Sequence, residues 1–508
     1  FQRGVLRWQE GESDGAIVDM EQAVALAPDD YQARYNLAVF YASGCATPER
    51  IAQAIAQAEA AARLRPDDES HRNLLASLYV QAGRKADALA LLAGPDAPRP
   101  QSAEDYLFLA QMYTGLGEAD AAQAAVTEGL ALLEKQSDDS TAHRLTLGRA
   151  YILAGRYKEA LALFQQVTES EPANPEGWRG VGDAHFWLDE LTEAQNAYTR
   201  LAELSPEAAD GYLLLGLTAA ARQEQSAALE ALVQAARRDA CDPTANLLLG
   251  GQYILDGKYA EAIPALRNAL AIDPENVSSL YLLGSALVYQ GDWAGAEAAY
   301  AKAAAIRPDD PAILHGLAQS LSAQGKAAES EQPWRRYVAL APEETDGWHY
   351  LALALLYQGK NGEAEEAARQ GLAAGDDPDL LVSLGMALEG QGKDSAAADA
   401  FRQALGLEPE NAGAHRGLGE IARRSGALEE AIAAFAEAAR LSGAATDYTA
   451  LAALYQQTGA IALGREAVAV ALAAEPENGD ALVRAGLLAR DGGAPAEAEG
   501  YFQQAAAL

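Results

Sequence analysis

The sequence predicts an all-α fold, a solenoid of tandem helix-turn-helix units with a period of 34 residues. Three observations carry this. Segments of the chain align on one another at that spacing throughout, apolar residues within each segment recur at helical intervals, and the composition suits packed helices. Half of the residues are apolar but only 7% are aromatic, with Ala supplying much of the remainder. Such a mixture favours closely approaching helices over sheets.

The period is plainest in the middle of the chain. "NLLLGGQYILDGKYAEAIPALRNALAIDPEN", beginning at Asn246, lies beneath "LYLLGSALVYQGDWAGAEAAYAKAAAIRPDD", beginning at Leu280. The same frame accommodates "WRGVGDAHFWLDELTEAQNAYTRLAELSPEA" and "HRGLGEIARRSGALEEAIAAFAEAARLS". With Leu280 set at position 4, the chain divides into fifteen copies. Position 8 is Gly or Ala in every one, including Gly4, Ala38, Gly148, Gly284, Ala318 and Gly486. Position 20 is Ala except at Ser330 and Gly464. Small residues at both places let two helices approach closely. Position 15 is usually Gly, as at Gly83, Gly155, Gly257 and Gly291, which fits a left-handed residue ending the first helix. Position 32 is Pro in ten copies, among them Pro172, Pro274 and Pro409, where the second helix must stop.

This pattern resembles the tetratricopeptide repeat, and the resemblance covers the whole chain. It implies a right-handed superhelical solenoid: one continuous domain over 1–508, with a partial first repeat at 1–30, full repeats from 31 to 478 and an incomplete last repeat at 479–508. Local departures are expected at a four-residue insertion between Tyr41 and Ala54 and in an extended copy over Ala103–Ser140. Pro95, Pro98 and Pro100 should shorten one second helix. Pro264, near a helix start, should be tolerated, whereas Pro333 lies deeper and should kink its helix, which leaves the packing of Trp334 open.

Asn276–Trp293 raises a functional question. Leu280, Leu283, Gly284 and Leu287 form one buried stripe at i, i+3, i+4 and i+7. Tyr281, Leu282, Val288 and Tyr289 fall on a second, equally apolar face. By resemblance, positions 2, 5, 6, 9, 12 and 13 of each first helix line a concave groove. This second face is then the groove, continued by Leu213, Leu214, Leu217, Leu247, Leu248, Ile254 and Leu255. Leu145, Ile152, Leu153, Phe186 and Trp187 extend it upstream, and Tyr350, Leu353, Leu356 and Tyr357 downstream. Each fully buried Leu gains roughly 1.5–3 kcal/mol, so a dozen left wet would be costly. A protein or peptide partner with an apolar segment, laid in as a helix, is the expected occupant.

Near the C-terminus, Arg416, Arg423, Arg424, Arg484 and Arg490 occupy groove positions and form a candidate basic subsite for an acidic segment. Solvated helix charge is the plainer reading. The Lys and Asn pattern by which some members of the family clamp a terminal carboxylate is absent: position 5 runs Leu213, Leu247, Tyr281, His315 and His349.

The formal net charge of −35 argues against nucleic acid or anionic membrane as a partner. No apolar run reaches the eighteen residues or so that a membrane span requires. No nucleophile has a plausible base, no phosphate loop occurs, and His315 with His349 is read as an incidental pair, so neither an enzyme nor a metal or other cofactor is expected. The only cysteines, Cys45 and Cys241, lack metal or disulfide-framework spacing and are expected as two free, buried thiols. The one glycosylation sequon, "NVS" at Asn276, falls in an inter-repeat turn. No signal peptide is present, but the chain begins at Phe1 rather than Met, so a natural start is expected to precede it.

Neither terminal copy is more polar than an internal one, where solenoids usually carry caps. Three functions are consistent with this. The first is a non-catalytic scaffold holding a partner segment in the apolar groove. The second is a structural protein assembling head to tail with other copies of itself into a filament. The third, from family resemblance alone, is the periplasmic scaffold of a bacterial polysaccharide-export system.

Overall fold

The computed structural model describes residues 1–94, 97 and 99–508. Among these, all regular secondary structure is helical: thirty α-helices follow one another in fifteen antiparallel pairs. The chain gathers into two compact units, Phe1–Gly291 and Asp292–Leu508. The division falls inside one repeat, between helices Val277–Tyr289 and Trp293–Ile306, a boundary that the repeat pattern does not mark.

Most repeats are punctuated in the same way, although helices Asp210–Ala221, Thr345–Tyr357 and Ala445–Gln457 have no side-chain cap. Polar residues in the inter-repeat turns cap the first helix: Asn276 Oδ1 accepts from the Ser279 amide at 2.9 Å, and Asp242 Oδ1 from those of Thr244 and Ala245 at 2.8 and 3.2 Å. The cap satisfies amides that the helix itself leaves unpaired. Asn276, the sequon residue, is thereby engaged in structure, and its Nδ2 also donates to Asp273 at 3.0 Å. At the other end, Gly257 has φ +71°, with its amide bonded to Ile254 O at 2.9 Å and that of Lys258 to Tyr253 O at 2.8 Å. These paired bonds close the helix and turn the chain into the second one. Asp189 and Gln223 hold the same position in their repeats and adopt the same left-handed backbone, φ 62° and 61°, without being glycine.

The core lies between the paired helices. Position 8 of the first helix faces position 24 of the second. A Cβ added to Gly148 would lie 2.7 Å from the Phe164 ring, and one added to Gly216 would lie 2.7 Å from Leu232. Phe164 and Leu232 are themselves almost fully buried, so the bare glycine backbone is what gives them room. The position-20 alanines Ala160, Ala194, Ala228 and Ala262 are completely buried.

The expected departures appear with some corrections. The insertion forms a loop between helices Tyr31–Ala42 and Pro48–Leu64. Helix Lys85–Ala93 is short, with nine residues; Pro95 and Pro98 lie outside the described residues. Helix Ala327–Leu340 runs unbroken through Pro333, and Trp334, whose packing the sequence left open, is completely buried. Its indole Nε1 donates to Ser322 Oγ at 3.1 Å and its ring stacks on Tyr350 at 5.1 Å, contacts that hold it beside the proline.

The cysteines also correct the sequence reading. Cys45, exposed in the insertion loop, is disulfide-bonded to Cys241, with a Cα–Cα distance of 4.8 Å across 196 residues of sequence. The rise and rotation accumulated over successive repeats bring the two positions together, which residue spacing alone does not reveal.

Candidate functional site

Helix Val277–Tyr289 separates its two faces cleanly. Leu280, Leu283, Gly284 and Leu287 are buried, Tyr281, Leu282 and Val288 are half-buried, and Tyr289 is 66% exposed. Neighbouring first helices of the same unit repeat this. Leu213, Leu214, Leu217, Leu247, Leu248 and Ile254 are half-buried and Leu255 is 68% exposed. None of these residues is fully withdrawn from solvent. Leu213 and Leu248 rest on the core formed by Leu232, Leu249 and Ala265, so their bases are packed and their outer surfaces are free. Upstream, Ile152 and Phe186 are half-buried and Leu153 is exposed. Leu145 differs from expectation. It is 7% exposed and packs with Phe164 and Val167, inside the core.

The protruding aromatic side chains on this face are braced. Trp187 is 58% exposed and stacks on Tyr157 at 5.9 Å, and Tyr289 stacks on Tyr259 at 4.3 Å. In both pairs the supporting ring comes from position 17 of the preceding repeat, thirty residues upstream. An aromatic residue at that interval is the sequence signal that would have found them. Stacking holds each ring against its neighbour.

In the second unit, Leu353 and Leu356 are half-buried, Tyr350 is exposed, and Tyr357 is 80% exposed. The histidines expected nearby serve packing. His315 meets Trp334 and Tyr337 edge-on at 5.3 and 5.4 Å, and burial lowers its pKa. His349 Nδ1 lies 3.0 Å from Ser383 Oγ. Among the described residues, no group of three His, Cys, Asp or Glu side chains is arranged to hold a metal ion.

The five arginines of the candidate basic subsite all find acceptors within the chain. Arg416 grips Asp447 through Nε at 2.5 Å and Nη2 at 2.7 Å. Arg423 bonds Glu420, and Arg424 lies 3.0 Å from both Glu389 and Asp394. Arg484 donates to Gln456 at 2.7 Å, and Arg490 to Asp491 at 2.9 Å. The carboxylate partners offset most of this positive charge locally.

A second polar arrangement went unnoticed in the sequence. In three successive turns of the second unit, a Gln-Gly-Lys sequence reaches back to a Glu in the preceding repeat. Lys326 Nζ lies 2.6 Å from Glu297, Lys360 Nζ 2.7 Å from Glu331, and Lys393 Nζ 2.9 Å from Glu365. Gln324, Gln358 and Gln391 donate to the same three carboxylates. Charge-assisted bonds of this kind fix the register between neighbouring repeats.

Paired helices with small residues at positions 8 and 20, glycine turns, and an accessible apolar face on the first helices define a helical-hairpin repeat protein. The chain belongs to the tetratricopeptide-repeat family. The family model described as tetratricopeptide repeat matches residues 1–44, 49–103, 349–407 and 382–446. The model of the C-terminal domain of cilia and flagella-associated protein 70 matches residues 95–309. No curated protein sequence matches the chain. Among solved structures, a chain of the crystal structure of the APC/C hetero-tetramer Cut9–Hcn1 is similar, with 18% identity, a TM-score of 0.39, and coverage of 96% of this chain and 95% of that one. The family's repeats are protein-binding modules, and the chain is at this level a protein-interaction scaffold. No described helix is long and apolar enough to cross a membrane.

Proposed function

We propose that the chain is a non-catalytic scaffold that holds an apolar segment of a protein partner against the first-helix face of its repeats. The observation that supports this is the half-buried to exposed state of Leu213, Leu214, Leu217, Leu247, Leu248, Ile254, Leu255, Tyr281, Leu282, Val288 and Tyr289 on consecutive first helices. Contiguous apolar surface of this kind is seldom left open in a soluble protein. The partner segment is an amphipathic helix: its apolar side covers the leucines, and basic residues on its flanks suit a chain of net charge −35.

The test uses a synthetic amphipathic helix of Leu and Lys titrated into the full chain, read by the fluorescence of Trp187 against a Trp187→Phe control. Saturable binding that is lost in the Leu248→Asp, Leu282→Asp double variant, with unchanged circular dichroism, supports the groove. Equal binding by wild type and double variant eliminates it.

A further inference from the structure

The polar contacts that hold the first unit are made within a repeat or between close neighbours; Arg50 to Asp14, 36 residues apart, is a long example. The Cys45–Cys241 bond joins positions 196 residues apart. We propose that this pair is a redox clasp that ties the second repeat of the first unit to the turn preceding Pro243–Leu255 and so fixes the coil of the repeats between them.

Three features support the assignment. The four-residue insertion that distinguishes the second repeat is the segment that carries Cys45. Its loop is shaped for projection: Gly44 has φ +68°, the Ala46 amide bonds Gly44 O at 2.8 Å, and the Thr47 amide bonds Cys45 O at 2.9 Å. These short-range bonds set Cys45 outward, exposed, immediately before the helix that Thr47 caps. Cys241 is held just as firmly. Its amide donates to Asp239 Oδ1 at 2.9 Å, and the next residue, Asp242, caps the following helix. Cys45 thus lies two residues before one helix cap and Cys241 one residue before another, and a Cα–Cα distance of 4.8 Å lies within the range that a disulfide spans.

Closure needs a disulfide donor, and glutathione disulfide is of the right class. One cysteine thiolate attacks a donor sulfur, breaking the donor S–S bond and releasing one glutathione thiol. The second cysteine thiolate then attacks the protein sulfur of the mixed disulfide, forming the Cys45–Cys241 bond and releasing the second glutathione. Two protein thiols are oxidised, one donor disulfide is reduced, and the two protons finish on the glutathione thiols. A dithiol reverses the sequence, entering at the exposed Cys45 side.

The full chain, equilibrated with glutathione disulfide, is alkylated and digested without reductant. A single linked peptide pair containing Cys45 and Cys241, with no alkylated thiol in the oxidised chain and two after dithiothreitol, is the expected result. Small-angle scattering should then show a larger radius of gyration for the reduced chain at unchanged helical ellipticity, and Cys45→Ser should match the reduced form under oxidising conditions. Two freely alkylated thiols after oxidation, a disulfide-linked dimer, or superimposable scattering from the oxidised and reduced wild type would each overturn the clasp. The reduced wild type carries the test even where the serine variant folds poorly.

Discussion

Lys360 Nζ lies 2.7 Å from Glu331, one repeat upstream, and Gln358 Nε2 reaches the same oxygen at 3.0 Å. The Lys360 hydrogen bond is the largest influence on Glu331 and holds its carboxyl down at about 2; Lys393 does the same for Glu365, also to about 2. A carboxyl depressed in the folded state contributes stability above its unfolded pKa, and that contribution disappears as pH falls through the folded value. The second unit should therefore lose stability between about pH 4.5 and pH 2, by roughly 1 kcal/mol per carboxylate after solvent screening. Thermal unfolding followed by circular dichroism across that window should show a shallower acid dependence in Glu331→Gln, Glu365→Gln than in wild type. Parallel curves would mean that these bonds do not stabilise the fold.

Gln223 and Asp189 occupy the left-handed turn position where other repeats have glycine. A side chain in that conformation costs roughly 1–2 kcal/mol, and glycine gives back about 0.5–1 kcal/mol through its freer unfolded chain. Gln223→Gly should raise stability by about 0.5 kcal/mol, and the reverse change Gly257→Gln should lower it by a similar amount. Urea unfolding of the two variants measures both signs, and a loss of stability in Gln223→Gly would show that its side chain makes a compensating contact.

The fold was legible because its determinants are local and periodic. Gly148 and Gly216 announce a close approach, Pro274 and Pro409 a stop, and Gly257 a turn, each within one copy. Leu145 was misplaced because periodicity assigns a position to a face but not the depth at which a bulky neighbour such as Phe164 sets it. The arginines of the last repeats resemble free charge in one dimension, since Asp447 stands 31 residues beyond Arg416 and Asp394 stands 30 before Arg424. Pairing across one repeat was recoverable in principle from the recurring Gln-Gly-Lys and its upstream Glu. The Cys45–Cys241 bond was not, because a small rotation per repeat, summed over nearly six of them, decides which turns meet.

Arg416 and Arg490 provide a direct comparison of structural and surface charge. Asp447 is 1% exposed; burial works to raise its carboxyl, and the bonds from Arg416 and Ser442 outweigh this and leave it below the ordinary range. Removing Arg416 strands that carboxylate. Arg416→Ala should cost roughly 2 kcal/mol, less than a fully buried pair because the guanidinium is half exposed. Asp447→Asn in the same background should recover part of it. Arg490→Ala removes only an exposed contact with its sequence neighbour and should stay within about 0.5 kcal/mol. Equal effects at the two sites would refute the distinction.

Helix Pro243–Leu255 carries both kinds of leucine, so it separates what the fold needs from what it leaves available. Leu249 is 7% exposed among Leu232 and Ala265, whereas Leu255 is 68% exposed at the end of the same helix. Leu249→Ala opens a cavity between paired helices and should cost about 2–5 kcal/mol. Leu255→Ala removes a side chain already mostly in water and should change stability by no more than about 0.5 kcal/mol. The two truncations remove the same atoms from the same helix, so intrinsic helix propensity cancels between them and only burial remains. If Leu255→Ala destabilises the free chain as much as Leu249→Ala does, the apolar face is occupied by the protein's own packing and has nothing left to offer a partner. If it is neutral for stability and weakens binding of the amphipathic helix, the second face of these helices serves recognition.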